Sequence, residues 1–168
     1  MGYSSLKFKN IEKDLITIIT LIQSNQNICR YILYLDNDPL DTSKSDITDN
    51  LINSENIIPS IFDSTVTEFS EVKIYVYPKQ GSLREKPLGD IYFNVDIIVP
   101  DDYWILAGLG QFRAFRIADE ISMMIDGQSE IAGIGAINIV NFVSYKVSQT
   151  NYSGLSLRIL INSCTLKA

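Results

Sequence analysis

The chain reads as an α+β domain: a mostly antiparallel sheet of four to five strands packed against a central helix, with N-terminal helices and a long projecting hairpin arm. Three observations predict this class. Residues 72–77 and 90–99 alternate apolar and polar side chains with the period of two expected of strands, on either side of a segment bounded by proline and glycine. Residues 111–126 carry apolar side chains at helical spacing and close at Asp126–Gly127, where glycine supplies a left-handed cap. Residues 136–147 and 155–161 return to alternation around a turn at 149–154, which makes a C-terminal hairpin. At 168 residues and 46% hydrophobic content, residues 1–168 have the size and the core material of a single domain.

Taken in order, Asn10 is expected to cap a first helix, with Glu12 and Asp14 in its opening turn, where negative charge meets the positive end of the dipole. Ile11, Leu15, Ile18 and Ile22 form its apolar face, widened by Ile19. SNQN at 24–27 interrupts it. A second short helix over 28–35 brings Ile28, Ile32 and Leu35 together and stops ahead of Pro39, which disfavours helical geometry at Asp38. Residues 41–71 are rich in Ser, Thr, Asn and Asp, with short apolar groups. They read as a long connection that docks through isolated anchors, with an assembly contact or a short helix near 47–53 as candidate uses.

The strands at 72–77 and 90–99 are each expected to have one covered face. Their connection, PKQGSLREKPLG (78–89), is too long for a tight turn and reads as an arm carrying Lys79, Arg84 and Lys86, cations placed to meet an acidic neighbour or DNA. The helical region at 104–125 has two apolar sides when projected at about 100° per residue. Gly110, Ala114, Ile117, Ala118, Ile121, Met124 and Ile125 fall on one; Phe112, Phe115 and Met123 fall on the other. A helix lying on a small domain needs one buried stripe. The second must be covered by another copy of the chain or by a loop of its own subunit. Arg113 is placed either for a carboxylate of a neighbouring subunit or for solvent, and Arg116 for an i,i+4 pair with Glu120. In the last hairpin, a bulge near Asn141 accounts for Val140 and Phe142 falling out of step.

For catalysis the residues offer nothing. The chain has no histidine, which removes the commonest general base and metal ligand and excludes Ser-His-Asp and Cys-His machinery. GLGQ (108–111) and GIGA (133–136) lack the third glycine of a dinucleotide fingerprint, and DNDP (36–39) lacks the glycine and closing glutamate of a calcium loop. No cofactor or metal is expected. A net charge of −6 argues against gripping nucleic acid through its phosphates. No apolar run approaches the roughly 20 residues of a membrane helix. The first residues lack a signal peptide's apolar region, and Cys29 and Cys164 make no paired spacing, so synthesis in a reducing cytoplasm is expected.

The order of elements, with NICRYILYLDNDPL (27–40), VDIIVPDDYWIL (95–106), RAFRIADEIS (113–122), IAGIGAINIVNF (131–142) and YSGLSLRILI (152–161), resembles tail terminator and related head–tail connector proteins of tailed bacteriophages. The resemblance runs from residue 10 onward, and R-x-F-R-I-x-x-E-I is its most diagnostic part. It implies a non-enzymatic virion protein forming a homo-oligomeric ring, commonly a hexamer, at the head–tail junction. Such a ring caps the tail tube, binds the neck or connector protein and lets DNA pass through its lumen without specific binding. Phe112, Arg113, Phe115 and Arg116 would then lie at or near a subunit interface, with Met123 on the same stripe. The Lys79–Lys86 arm would reach a neighbour or the next ring. The alternatives are a neck or stopper ring and, from another class, a small intracellular ligand-binding domain.

Overall fold

The computed structural model describes residues 7–48, 55–81, 90–107, 110–126 and 137–161. Helices α1 (Lys7–Ser24) and α2 (Gln26–Leu33) form the N-terminal pair. α1 begins before Asn10, so Asn10 lies within the helix and does not cap it. The cap sits at the junction instead: Asn25, extended at φ −85°, accepts the Ile28 N–H at 3.1 Å. α2 stops at Leu33, two residues earlier than expected, and Asp36 turns the chain by accepting the Asp38 N–H at 3.0 Å.

Five strands form one sheet: β1 (Ile57–Ile58), β2 (Lys73–Gly81), β3 (Ile91–Pro100), β4 (Ile137–Lys146) and β5 (Tyr152–Ile161), in the order β1-β2-β3-β5-β4. Only the β1–β2 pair is parallel. β2 runs past Tyr77 because the irregularity between Pro78 and Gln80 absorbs the proline that would otherwise break the ladder. Lys79 is therefore an exposed strand residue. Arg84, Lys86 and the rest of the expected arm lie outside the described residues.

Helix α3 (Arg113–Ile125) is shorter than the helical region expected at 104–125. A 3-10 turn (Asp101–Tyr103) and a loop precede it, and Gly110, with φ 75°, is a loop residue in the left-handed region. The Arg113 N–H donates to the Trp104 carbonyl at 2.9 Å and Leu106 N–H to the Gln111 carbonyl at 3.0 Å, which folds this loop back on the helix start. The core lies between the helices and one face of the sheet. Ile18, Ile22, Ile28, Ile32, Ala114, Ile117, Ile121 and Ile125 meet Ile74, Val76, Phe93, Val95, Ile97, Leu155, Leu157 and Ile159.

β3 is buried on both faces, not one. The polar-looking side of its alternation is covered around Asp96 and Ile98 because residues 59–69 cross the second face of the sheet as a strap. Phe62 seats its ring 5.4 Å from that of Tyr75 and 5.7 Å from that of Tyr152, and Phe69 meets Tyr152 edge-on at 4.9 Å. Asn151 staples the strap, accepting the Phe69 N–H at 2.9 Å and donating to the Phe69 carbonyl at 3.0 Å. Of the short helix expected near 47–53, Ile47 and Thr48 are not helical, and residues 49–53 lie outside the described residues.

The C-terminal hairpin follows the expectation. Its register slips between Ile139 and Asn141, leaving Val140 as the extra residue. Gly154 lies under the Tyr145 ring: a Cβ there would come within 2.3 Å of Tyr145 Cζ, so only glycine lets the ring lie on the β5 backbone.

Candidate functional site

α3 presents two faces, and only one of them is inside. Phe112 and Phe115 are 38% and 37% exposed and Met123 is 69% exposed, so neither ring is enclosed by its own subunit. These rings belong to a longer strip. Trp104 and Phe112 stand 6.1 Å apart between centroids, Phe112 and Phe115 6.1 Å, and Phe115 meets Phe142 of β4 at 6.5 Å. Phe142 is 60% exposed, and so are its β4 neighbours Val140 and Val143 and, at the other end of the strip, Ile105, which bridges to Phe112. Contiguous apolar surface of this kind marks a place where something else binds.

The strip ends on the edge of the sheet. β4 pairs with β5 on one side, and no described strand pairs with its other side. Between Ile137 and Tyr145 this strand carries no charged residue and no proline. Free edges of monomeric proteins are usually blunted by such residues. Phe142, Val140 and Val143 were not among the expected site residues. The signal available in the sequence was their disturbed alternation, which marks a bulge but not what lies against it.

Arg113 does not belong to this surface. It is 0% exposed, and the expectation that it meets a neighbouring subunit or solvent is corrected. Its guanidinium donates to the carbonyls of Tyr103 at 2.9 Å, Tyr31 at 2.7 Å, Tyr34 at 2.9 Å and Asp36 at 2.5 Å. Three of these carbonyls belong to the end of α2 and the turn after it, where helix geometry leaves acceptors unpaired. Arg113 thus pins α2 to the start of α3. Burial pulls its pKa down, while the Asp36 carboxylate and Tyr31 hydroxyl work in the opposite direction.

Arg116 is exposed and pairs with Asp119 at 3.3 Å, not with Glu120. Glu120 is taken by the amides of Asn25 at 3.2 Å and Asn27 at 2.9 Å, which tie α3 to the α1–α2 junction. The exposed Arg116–Asp119 pair contributes at most about 0.5 kcal/mol.

The second face of the sheet holds a polar cluster. The Tyr77 hydroxyl donates to buried Asp96 at 2.8 Å and accepts from Asn94 Nδ2 at 3.3 Å. Burial, followed by the bond to Asp96, pushes Tyr77 up to about 12. Burial also raises the Tyr145 hydroxyl nearby. Beside this cluster a shallow groove is lined by Asn94, Asn141, Phe142, Val143, Ser156 and Arg158.

The raised Tyr77 and Tyr145 phenols stay protonated, and the Cys29 thiol is buried with its pKa raised by that burial, the opposite of an activated thiolate. Among the described residues no group of three or more His, Cys, Asp or Glu side chains could hold a metal ion, and no helix is long and apolar enough to cross a membrane.

No curated protein matches the chain. From the α1–α2 junction to the end of β5, residues 25–161 match the family described as YomW, a phage-associated family of Bacillus phage-like proteins, and the chain belongs to that family.

Proposed function

We propose that this protein is a structural component of a phage particle that assembles with copies of itself into a ring at the head–tail junction, acting as a tail terminator. The observation that carries the reading is the exposed strip Phe112–Phe115–Phe142, which runs from the outer face of α3 onto β4, whose outer edge pairs with no described strand and carries no charge from Ile137 to Tyr145. A ring closes through heterologous contacts, so each subunit needs two different complementary patches, and the strip supplies one. Membership of a phage-associated family gives the biological setting. The net charge of −6 suits a lumen through which DNA slides, since like charge suppresses adhesion.

Sedimentation velocity across concentration tests the ring. The wild type is expected to reach a discrete oligomer, commonly six subunits in the resembled family. Phe115→Asp is expected to weaken association by roughly tenfold to a hundredfold, because an apolar contact then buries an unpaired carboxylate. A wild type that stays monomeric alone and with purified tail tubes sinks the reading. In a particle reconstruction, stacking on the tube protein identifies a terminator, and contact with the portal-side adaptor identifies a neck ring instead.

A further inference from the structure

We infer that the groove beside the β4 bulge is the polar half of the same contact, and that Arg158 there receives a carboxylate from a second copy of this chain. The inference rests on the assembly reading above and adds to it the chemistry of recognition.

The register builds the site. Tyr77, Asn94, Arg158 and Asn141 cross β2, β3, β5 and β4 in a single row on the second face of the sheet. Asn94 is only 8% exposed, and one of its two amide hydrogens goes to the Tyr77 hydroxyl. Its Oδ1 is buried and has no hydrogen-bond partner. Leaving such an acceptor unmet is costly, and it lines the groove. Arg158, its neighbour in the row, is exposed and forms no salt bridge or hydrogen bond with the described residues. Asp96, one register step along the same face, is held by the Tyr77 hydroxyl and does not line the groove.

Two arguments select the occupant. Phe142, paired with Leu157, turns its ring to the α3 side while Asn141 and Arg158 face the other side, and the two sides meet at the outer edge of β4, so a second copy docked along that edge borders the strip and the groove together. The chain carries 20 acidic residues against 14 basic ones, so a second copy brings carboxylates in excess. A guanidinium shut under an interface without a counter-charge pays a large desolvation penalty, and a carboxylate in hydrogen-bonding geometry offsets it. Neutralised in this way, the Arg158 fork can settle into the groove, where a second edge of donors faces Asn94 Oδ1 and supplies its missing partner.

The test uses the full chain and two substitutions at one exposed position. Arg158→Ala is expected to weaken self-association tenfold to a hundredfold at low salt and to flatten its salt dependence, with the thermal melt of the subunit unchanged. Arg158→Lys is expected to assemble with intermediate strength and to become reactive to a zero-length carbodiimide. In a mixture of isotope-labelled and unlabelled protein, mass spectrometry should find that position joined to an Asp or Glu of the other isotopic form. If Arg158→Ala assembles like the wild type with the same salt dependence, or if crosslinks occur only within one chain, the inference falls while the ring reading stands. If the wild type never associates, both fall.

Discussion

Phe115 of α3 and Phe142 of β4 meet edge to face, their centroids 6.5 Å apart and their planes at 75°, and this contact joins the outer side of the helix to the free edge of the sheet. Both rings are more than one-third exposed, so the pair adds little to the isolated subunit. Its value lies in what covers it. In a double-mutant cycle, Phe115→Ala and Phe142→Ala are expected to shift the urea midpoint of the subunit only slightly. The free energy of self-association should show a coupling of about 0.5–1.5 kcal/mol between the two positions. Strictly additive losses would mean that the rings contact separate partners.

Arg113 is predicted to govern stability and not assembly. Arg113→Met removes the donor shared by the carbonyls of Tyr31, Tyr34, Asp36 and Tyr103. Leaving several buried acceptors unmet outweighs the gain from no longer burying a charge, and a loss of about 3 kcal/mol is expected in urea unfolding. Arg113→Lys should recover less than half of it, because an ammonium cannot span the positions that the planar fork reaches. A variant as stable as the wild type would show that water replaces the guanidinium without cost.

Gly154 and Tyr145 should couple with the opposite sign to an ordinary contact. Gly154→Ala places a Cβ within 2.3 Å of Tyr145 Cζ and forces the ring off its seat against Phe62. A destabilisation of about 1–3 kcal/mol follows from such overpacking. Tyr145→Ala removes the obstacle, so the double variant should be less destabilised than the sum of the two single ones, measured by thermal melting.

Asp14 gives the fold a pH dependence of definite sign. Burial raises its carboxyl from 3.8 to about 6, against a smaller opposing effect of Lys13. Below pH 3.8 both folded and unfolded chains hold the proton, and no penalty is felt. Between that value and about 6 the unfolded chain loses its proton first, so stability falls as pH rises and then levels. Because the group is partly solvated, the total is set at about 1 kcal/mol. Asp14→Asn should remove this slope and stabilise the protein at pH 7 by a similar amount, read from urea midpoints across pH.

Much of this architecture was legible as periodicity. Alternation located the two long strands and the C-terminal hairpin, down to the bulge at Val140, because side chains on a strand must alternate whatever they face. Projection of residues 111–126 separated Phe112, Phe115 and Met123 from the core stripe, because helical geometry alone sorts a sequence into faces. β1 was missed because two residues are too few to show any period. The expectation of a half-exposed β3 failed because covering of its second face depends on Phe62 and Phe69, which reach it from a connection with no period of its own.

Which residues share a face could be read from the chain alone, since that follows from backbone geometry a few residues at a time. What each face meets was set by the packing of distant segments. Arg113 and Phe115 lie two positions apart on one helix, yet Arg113 is enclosed by carbonyls some 80 positions upstream while Phe115 is left to an edge strand beyond the helix. Likewise, Asn94, Arg158 and Asn141 form a row only because β5 inserts between β3 and β4. Partners of that kind are chosen by long-range packing, which local pattern does not encode.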